Sequence, residues 1–317
     1  MEMIHLRLVS PPDLAPRAVG LLTGNRFVFN LVVHPASAHH PDGDAVQCDV
    51  LAGGANEVLR ALRELGIDRR GSIVIEPVDA AFSGVAAEAE QRQLRALAHA
   101  PVWDEVEARI RAQGTYGPSF YLYLVIAGVL AAVGILTNSQ ILIVAAMVVG
   151  PEYGAITSVA LAIDRGNLTR IGQGLFALTA GFLMAIVVTF LFSLAVRGLG
   201  REPRAFELGI RPVSSLINAP NLFSVVVAVL AGVVGIMSLT QARSSALLGV
   251  FISVTTIPAA ADIGVSCAFS SWGEARGSLG QLLLNIALLI VVGVLALRFQ
   301  RAVWRRIGRR VARSGAG

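Results

Sequence analysis

With 317 residues, 15% of them charged, and a mean hydropathy of +0.67, the chain is too apolar to be wholly soluble; about a quarter of the residues of an ordinary soluble domain are charged. All 26 basic side chains are arginine, and the pI near 10.0 has a local cause: Arg298, Arg301, Arg305, Arg306, Arg309, Arg310 and Arg313 crowd the C-terminus. A polybasic run beside a span is a topology signal, so the charge does not point to nucleic acid.

The opening MEMIHLRLVSPPDL lacks a basic n-region followed by an apolar core, so no cleaved signal peptide is expected and insertion should use the first span. Met3 to Val9 reads as a strand. Pro11, Pro12 and Asp13 open a helix to Leu22, and Arg26 to Val33 is a second strand. His34 to Asp44 is rich in turn residues and reads as a loop. Ala45 to Leu51 is a third strand, Ala55 to Leu65 a helix with Val58, Leu62 and Leu65 at helical spacing, and Ser72 to Val78 a fourth strand. The order β-α-β-β-α-β predicts an α+β domain of ferredoxin-like type over residues 1–84. Regulatory domains of that fold often bind amino acids or nucleotides, so a small-molecule ligand is expected there, although fold alone does not fix function.

His34, His39 and His40 have no cysteine or clustered carboxylate at ligand spacing, so neither a metal nor a cofactor is expected. Gly53-Gly54 before a helix could cradle an anion on free N–H groups, but a strand-to-helix turn explains it as well. Cys48 and Cys267 form no disulfide framework. Residues 85–117 read as an amphipathic connector, with Leu94, Leu97, Val102, Trp103, Val106 and Ile110 apolar and Gly114 to Pro118 as the hinge into the membrane.

Six apolar stretches fill residues 118–298: Phe120 to Leu136, Gln140 to Ile163, Leu175 to Val196, Leu222 to Leu239, Ala246 to Phe269 and Leu282 to Leu297. A loop, Arg197 to Asn221, divides them, and residues 299–317 are expected as a basic cytoplasmic tail. The second stretch holds Gly150, Pro151, Glu152, Tyr153 and Gly154 at its middle. Proline removes a ladder N–H and a mid-span carboxylate is costly in lipid, so this is a broken helix whose polar centre faces protein or water. A Pro-kinked structural helix is the plainer alternative.

The two halves of the membrane part resemble each other. AGVLAAVGILTNSQ, from Ala127, aligns with AVLAGVVGIMSLTQ, from Ala228, and Ser158, Gly172 and Gln173 fall on Ser266, Gly280 and Gln281. Each half has a break, the second at Thr255-Thr256-Ile257-Pro258 with Asp262 following. Three spans per half predict an inverted repeat, about 118–198 and 221–298, with broken second and fifth helices. An even number of spans puts both termini on one side, which the basic tail makes cytoplasmic in a cell membrane.

AAMVVGPEYG and GVFISVTTIPAAADIGV, preceded by GIMSLTQARSSALLG, resemble the signatures of domain-of-unknown-function family 389, a prokaryotic family of hydrophobic membrane proteins. The resemblance runs from about Tyr121 to Leu297 and implies a multi-span architecture with a soluble N-terminal region. The chain departs from the family pattern at Ala155, where a second proline is frequent, and at Asp262, where asparagine is frequent.

Two functional classes follow. The first is a transporter or channel for a small solute or ion, regulated by the N-terminal domain, with Gly150, Pro151, Glu152, Gly154, Thr255, Thr256, Pro258 and Asp262 lining one polar cavity. The second is a membrane-anchored sensor or assembly protein whose breaks are structural. No HExxH, GxSxG or nucleophile–base pair is present and all five histidines lie outside the spans, so an enzyme is not expected. The expected partners are the lipid bilayer, a small solute and a further copy of the chain, since Gly128, Ala131, Ala132, Gly181, Ala231 and Gly232 permit close helix approach.

Overall fold

The computed structural model describes residues 3–78, 100–209, 211–219, 221–240 and 255–314. They fall into two compact units, residues 1–106 with 301–317, and residues 107–300.

The first unit is built on an antiparallel sheet of β1 (Met3–Ser10), β2 (Val28–His39), β3 (Asp42–Leu51) and β4 (Ser72–Val78), in the order β2-β3-β1-β4. Helices α1 (Ala15–Thr23) and α2 (Ala52–Glu64) connect the strands, and a short α3 (Ile67–Arg70) follows α2. The period of two sends Ile4, Leu6 and Leu8 of β1 and Val46, Cys48 and Val50 of β3 to one face. There they share a core with Ala18 and Leu22 of α1 and Val58, Leu59 and Leu62 of α2, so both helices cover the same side. The other face is polar: His5 Nδ1 lies 2.7 Å from Asp49 Oδ1, and the Asn30 amide donates to Asp49 Oδ2 at 2.6 Å.

Three expectations change here. The segment read as a loop from His34 is mostly hairpin, with β2 running through His39 and β3 starting at Asp42. Gly53 and Gly54 lie inside α2, not in a turn before it, and the Phe27 ring occupies the space a Cβ on Gly54 would need. The basic tail is not free. It continues the last helix, and Trp304 and Ile307 pack on the core of the first unit while Arg301 stacks 5.1 Å from the centroid of the Trp103 ring. Of the connector, residues 100–117 are described and contain α4 (Trp103–Gln113); residues 79–99 lie outside the described residues.

The second unit is helical: α5 (Pro118–Leu136), α6 (Gln140–Val149), α7 (Glu152–Asp164), α8 (Leu168–Gly198), short α9 (Arg204–Glu207) and α10 (Pro212–Ile217), α11 (Leu222–Thr240), α12 (Thr256–Ala268) and α13 (Trp272–Ser314). Among the described residues, four helices, α5, α8, α11 and α13, are long and apolar enough to cross a membrane, and α6 with α7 makes a fifth crossing if the pair, bent by 47°, counts as one span. Side chains such as Phe176, Leu183 and Leu230 point out of this unit, as lipid-facing positions do. This is a multi-pass membrane protein. Of the expected stretch from Ala246 to Phe269, residues 246–254 lie outside the described residues and the remainder is α12.

A short apolar helix, α12, is the most buried. Every residue of α12 except Cys267 is buried. At 1.5 Å per residue it is about 20 Å long, short of a hydrocarbon core of about 30 Å. It packs against α8, α5 and α6. A Cβ at Gly264 would come within 2.8 Å of the Ile186 carbonyl and 2.9 Å of the Phe190 nitrogen, so α12 reaches the backbone of α8 there.

The helices recur at a fixed interval. Pro118, Glu152 and Leu168 start α5, α7 and α8; Leu222, Thr256 and Trp272 start α11, α12 and α13, each 104 positions later. The turns obey the same interval: Gly166 and Ser270 both have positive φ, 66° and 60°, and Asn167 N–H to Ala162 O at 2.9 Å is matched by Ser271 N–H to Ser266 O at 2.8 Å. This interval differs from the sequence alignment, which put Gly134 on Gly235 and Ser158 on Ser266. Those matches lie within about one helical turn of the structural register, a slip that runs of Ala, Val and Gly permit.

Candidate functional site

The first break is local and has a clear cause. α6 ends at Gly150, in an extended conformation (φ −69°, ψ 134°), because Pro151 has no N–H to continue the ladder. α7 restarts at Glu152, whose carboxylate therefore sits in the first turn of a helix, where the macrodipole favours negative charge. The second break was expected before α12; residues 241–254 there lie outside the described residues, and the helix start is described. Thr255 is the N-cap residue, Thr256 the first residue, and Pro258 lies within the first turn, where its missing N–H costs nothing. Pro258 thus belongs to the helix and not to the interruption.

The two helix starts touch. The Thr256 hydroxyl donates to Glu152 Oε1 at 2.8 Å, with both residues buried. A Cβ on Gly150 would overlap Ile257 Cδ1 and Glu152 Oε2, so a side chain there would have to displace both tips from the junction. Glu152 Oε2 is buried without a hydrogen-bond partner. Behind the junction, the Tyr153 hydroxyl lies over Gly235, where a Cβ would overlap it. Gly154 faces away from the junction, against Gln113 of α4.

Thr255 belongs to an adjoining polar group. Its Oγ accepts from the Asn285 amide at 3.0 Å and lies 3.5 Å from the Gln281 amide nitrogen, which also donates to Asn285 Oδ1 at 3.2 Å. Gln281 and Asn285 are each 3% exposed, although α13 is otherwise apolar around them. They border a cavity of about 300 Å³ with Thr255, Asn221, Ser224 and Phe223. Gln281 Oε1 has no hydrogen-bond partner.

Asp262 does not join Glu152, contrary to the expectation of one shared cavity. It lies six residues, about 9 Å, further along α12. It is fully buried, and its two oxygens accept from Ser214 at 2.7 Å and Ser278 at 2.5 Å, which tie α12 to α10 and α13. Around the same end, Arg197 donates to the Ala268 carbonyl at 2.6 Å, capping α12, and Arg211 bonds Ser271 and Glu274. At the opposite end, Arg298 pairs with Asp164 at 3.0 Å, and Glu107, nearly buried, pairs with both Arg165 and Arg111.

Sequence reasoning missed Gln281, Asn285, Ser214 and Ser278. The amide pair carried a readable signal: two large polar side chains at i, i+4 on one face of an apolar span are costly unless they face a partner or a cavity.

Comparison with curated proteins and with solved structures finds no match. Over residues 147–291, which contain both helix starts, Asp262 and the amide pair, the chain matches the family model described as Domain of unknown function (DUF389), the family its two motifs resemble.

Proposed function

We propose that the protein is a transporter or channel for a small solute or ion, built as a 3+3 inverted repeat of six spans, with a ferredoxin-like regulatory domain at its N-terminus. The observation that carries this reading is the hydrogen bond between Glu152 and Thr256. These residues are equivalent under the interval of 104, and equivalent positions of two inverted halves touch only near the pseudo-two-fold axis that relates them. The exchanged contacts agree: Gly264 of α12 lies against Thr189 of α8, and Ala160 of α7 lies against Gly293 of α13, each residue 104 positions from its counterpart. Paired half-helices that start at mid-depth, beside a buried carboxylate and a polar cavity, are the arrangement in which transporters hold solutes.

The strand order β4-β1-β3-β2 supports the ferredoxin-like reading of the first unit. The grouping of the N-terminal residues with residues 301–317 supports termini on one side, and the basic run makes that side cytoplasmic. A cleft of about 430 Å³ in the first unit, lined by Asn56, Arg60, Arg63, Glu64, Arg69 and Asp104, sets three arginines against two acids and favours a small molecule with an anionic group as the regulator; it equally suits a sensor that does not transport. No nucleic acid and no catalytic step enter this reading.

The test is flux into proteoliposomes across a panel of ions and small solutes. Glu152→Gln should change the flux of the transported species while the protein still inserts and folds. Purified protein that moves nothing, yet is thermally stabilised by an anionic ligand, supports the sensor instead.

A further inference from the structure

We propose that the cavity beneath Thr255 is the solute site, that it takes a small uncharged molecule bearing several O–H or N–H donors, and that it is entered from the α10 end of the helical unit. This rests on the transport reading above and adds the solute class and the entrance.

The lining sets the class. Among the described residues bordering the cavity none is charged; the polar groups are hydroxyls and carboxamides. A dehydrated ion entering such a site keeps its desolvation cost without a counter-charge to offset it, whereas a neutral solute exchanges one set of hydrogen bonds for another. The hydrogen-bond inventory then sets the polarity. The Asn285 amide donates to Thr255, and the Gln281 amide donates to Asn285 Oδ1. One N–H of each amide is spent inside the network, while the Gln281 carbonyl oxygen has no partner. A buried acceptor left unpaired costs free energy that an incoming donor recovers. The volume of about 300 Å³ equals that of roughly ten waters, enough for one small polyol or amide and too little for a nucleotide with its hydration.

The site is built in one half only. Moving 104 positions back from Gln281 and Asn285 gives Ala177 and Gly181. At Gly181 a Cβ would overlap Leu124 and come within 3.3 Å of Phe120, so apolar side chains fill the volume that is open in the other half. Leu216 of α10 and Asn221, just after it, line the cavity and are exposed, and Ser214 of α10 bonds Asp262 on the far stretch of α12. The mouth therefore opens at the α10 end and not at the end where Asp164 pairs with Arg298. Thr255, on the cavity wall, is one residue from the Glu152–Thr256 pair.

The experiment uses the full chain in phosphatidylethanolamine–phosphatidylglycerol vesicles. Stopped-flow light scattering reads reswelling after a hyperosmotic step in glycerol or erythritol, and a potassium-sensitive dye reads ion flux in the same preparation. The wild type should reswell about tenfold faster than empty vesicles, with potassium flux at background. Gln281→Leu and Asn285→Leu should each lose about tenfold, the worth of one buried hydrogen bond, while the lipid-facing Phe176→Leu keeps the wild-type rate. Folding of each variant is checked by circular dichroism and size-exclusion profile, and Gln281→Asn serves where the leucine variant fails to fold. Potassium flux that both substitutions abolish would keep transport and overturn the neutral solute. Polyol flux insensitive to every substitution at 281 and 285 would overturn the site. Folded wild type that moves neither would overturn the transport reading and this one with it. In a Cys267→Ser background, Ser224→Cys should be blocked by a membrane-impermeant thiol reagent only from the face opposite the termini; block from the face of the termini would overturn the entrance.

Discussion

Replacing Thr256 by valine removes the hydroxyl that bonds Glu152 Oε1 and keeps the side-chain volume. Because Oε2 already has no partner, the variant leaves both oxygens of a buried carboxylate unsatisfied. A hydrogen bond to a charged group is worth about 1.5–3 kcal/mol, and an orphaned buried acceptor costs about 1–3. Inside membrane bundles measured couplings are smaller, about 0.6 on average and near 1.7 at most, because the unfolded chain in lipid also finds partners. Taken together these ranges give Thr256→Val a loss of about 1–2 kcal/mol. The sign of the double-mutant cycle is the sharper test. With Glu152→Leu in place no carboxylate remains to be orphaned, so Thr256→Val should then be neutral or slightly stabilising. The assay is reversible unfolding in mixed micelles, followed by far-UV circular dichroism. Equal effects of Thr256→Val in the two backgrounds would mean that the two helix starts do not meet, and the argument for a junction at mid-depth would fail.

Gly264→Val puts a branched side chain against the Ile186 carbonyl and Phe190 nitrogen; backbone cannot yield, so a loss of about 1–3 kcal/mol or failure to fold is expected, whereas Gly293→Ala, 3.1 Å from the Ala160 Cβ, should be far milder in the same unfolding assay. Cys48 is fully buried, and burial, with the neighbouring Asp49, pushes its thiol up to about 12. It should therefore resist a disulfide thiol reagent at pH 8 in native protein and react only on unfolding, read by absorbance. Ser270 holds φ 60° where its counterpart Gly166 holds 66°, so Ser270→Gly should stabilise by up to about 1 kcal/mol and Gly166→Ser should destabilise by a similar amount.

What the sequence revealed depended on whether a signal was local. Period-two alternation in Met3 to Val9 and Ala45 to Leu51 gave the strands, and Pro151 between apolar runs gave the first break, because both act through the backbone of their own residues. The end of α13 was misread because seven arginines dominate its composition, yet Trp304 and Ile307, three positions apart, form an apolar edge that finds the N-terminal core. The interval of 104 between helix starts did not show in the alignment of the two halves, since its markers are conformational: Gly166 and Ser270 hold the same left-handed turn. The helix starts meet through Glu152 and Thr256, an unlike pair that no identity search would align.

Two buried acids stand on or beside the half-helices, and their surroundings assign them different work. Both oxygens of Asp262 are satisfied, by Ser214 and Ser278, and the three residues join α10, α12 and α13. Glu152 has one satisfied oxygen and one free. A fully partnered acid holds elements together, whereas a half-partnered one retains capacity for a further donor. Ser214→Ala and Ser278→Ala should therefore each destabilise the protein by about 1–3 kcal/mol, and Asp262→Leu should restore part of the loss in the double-alanine background, because no buried carboxylate is then left without donors. The same changes should leave the rate of any solute flux per folded molecule unaltered, while Glu152→Gln should alter flux and cost little stability, its amide still offering an oxygen to Thr256. The measurements are unfolding midpoints and flux normalised to folded protein. An Asp262→Asn variant with wild-type stability and altered flux would reverse the assignment, making Asp262 the acid that meets the solute.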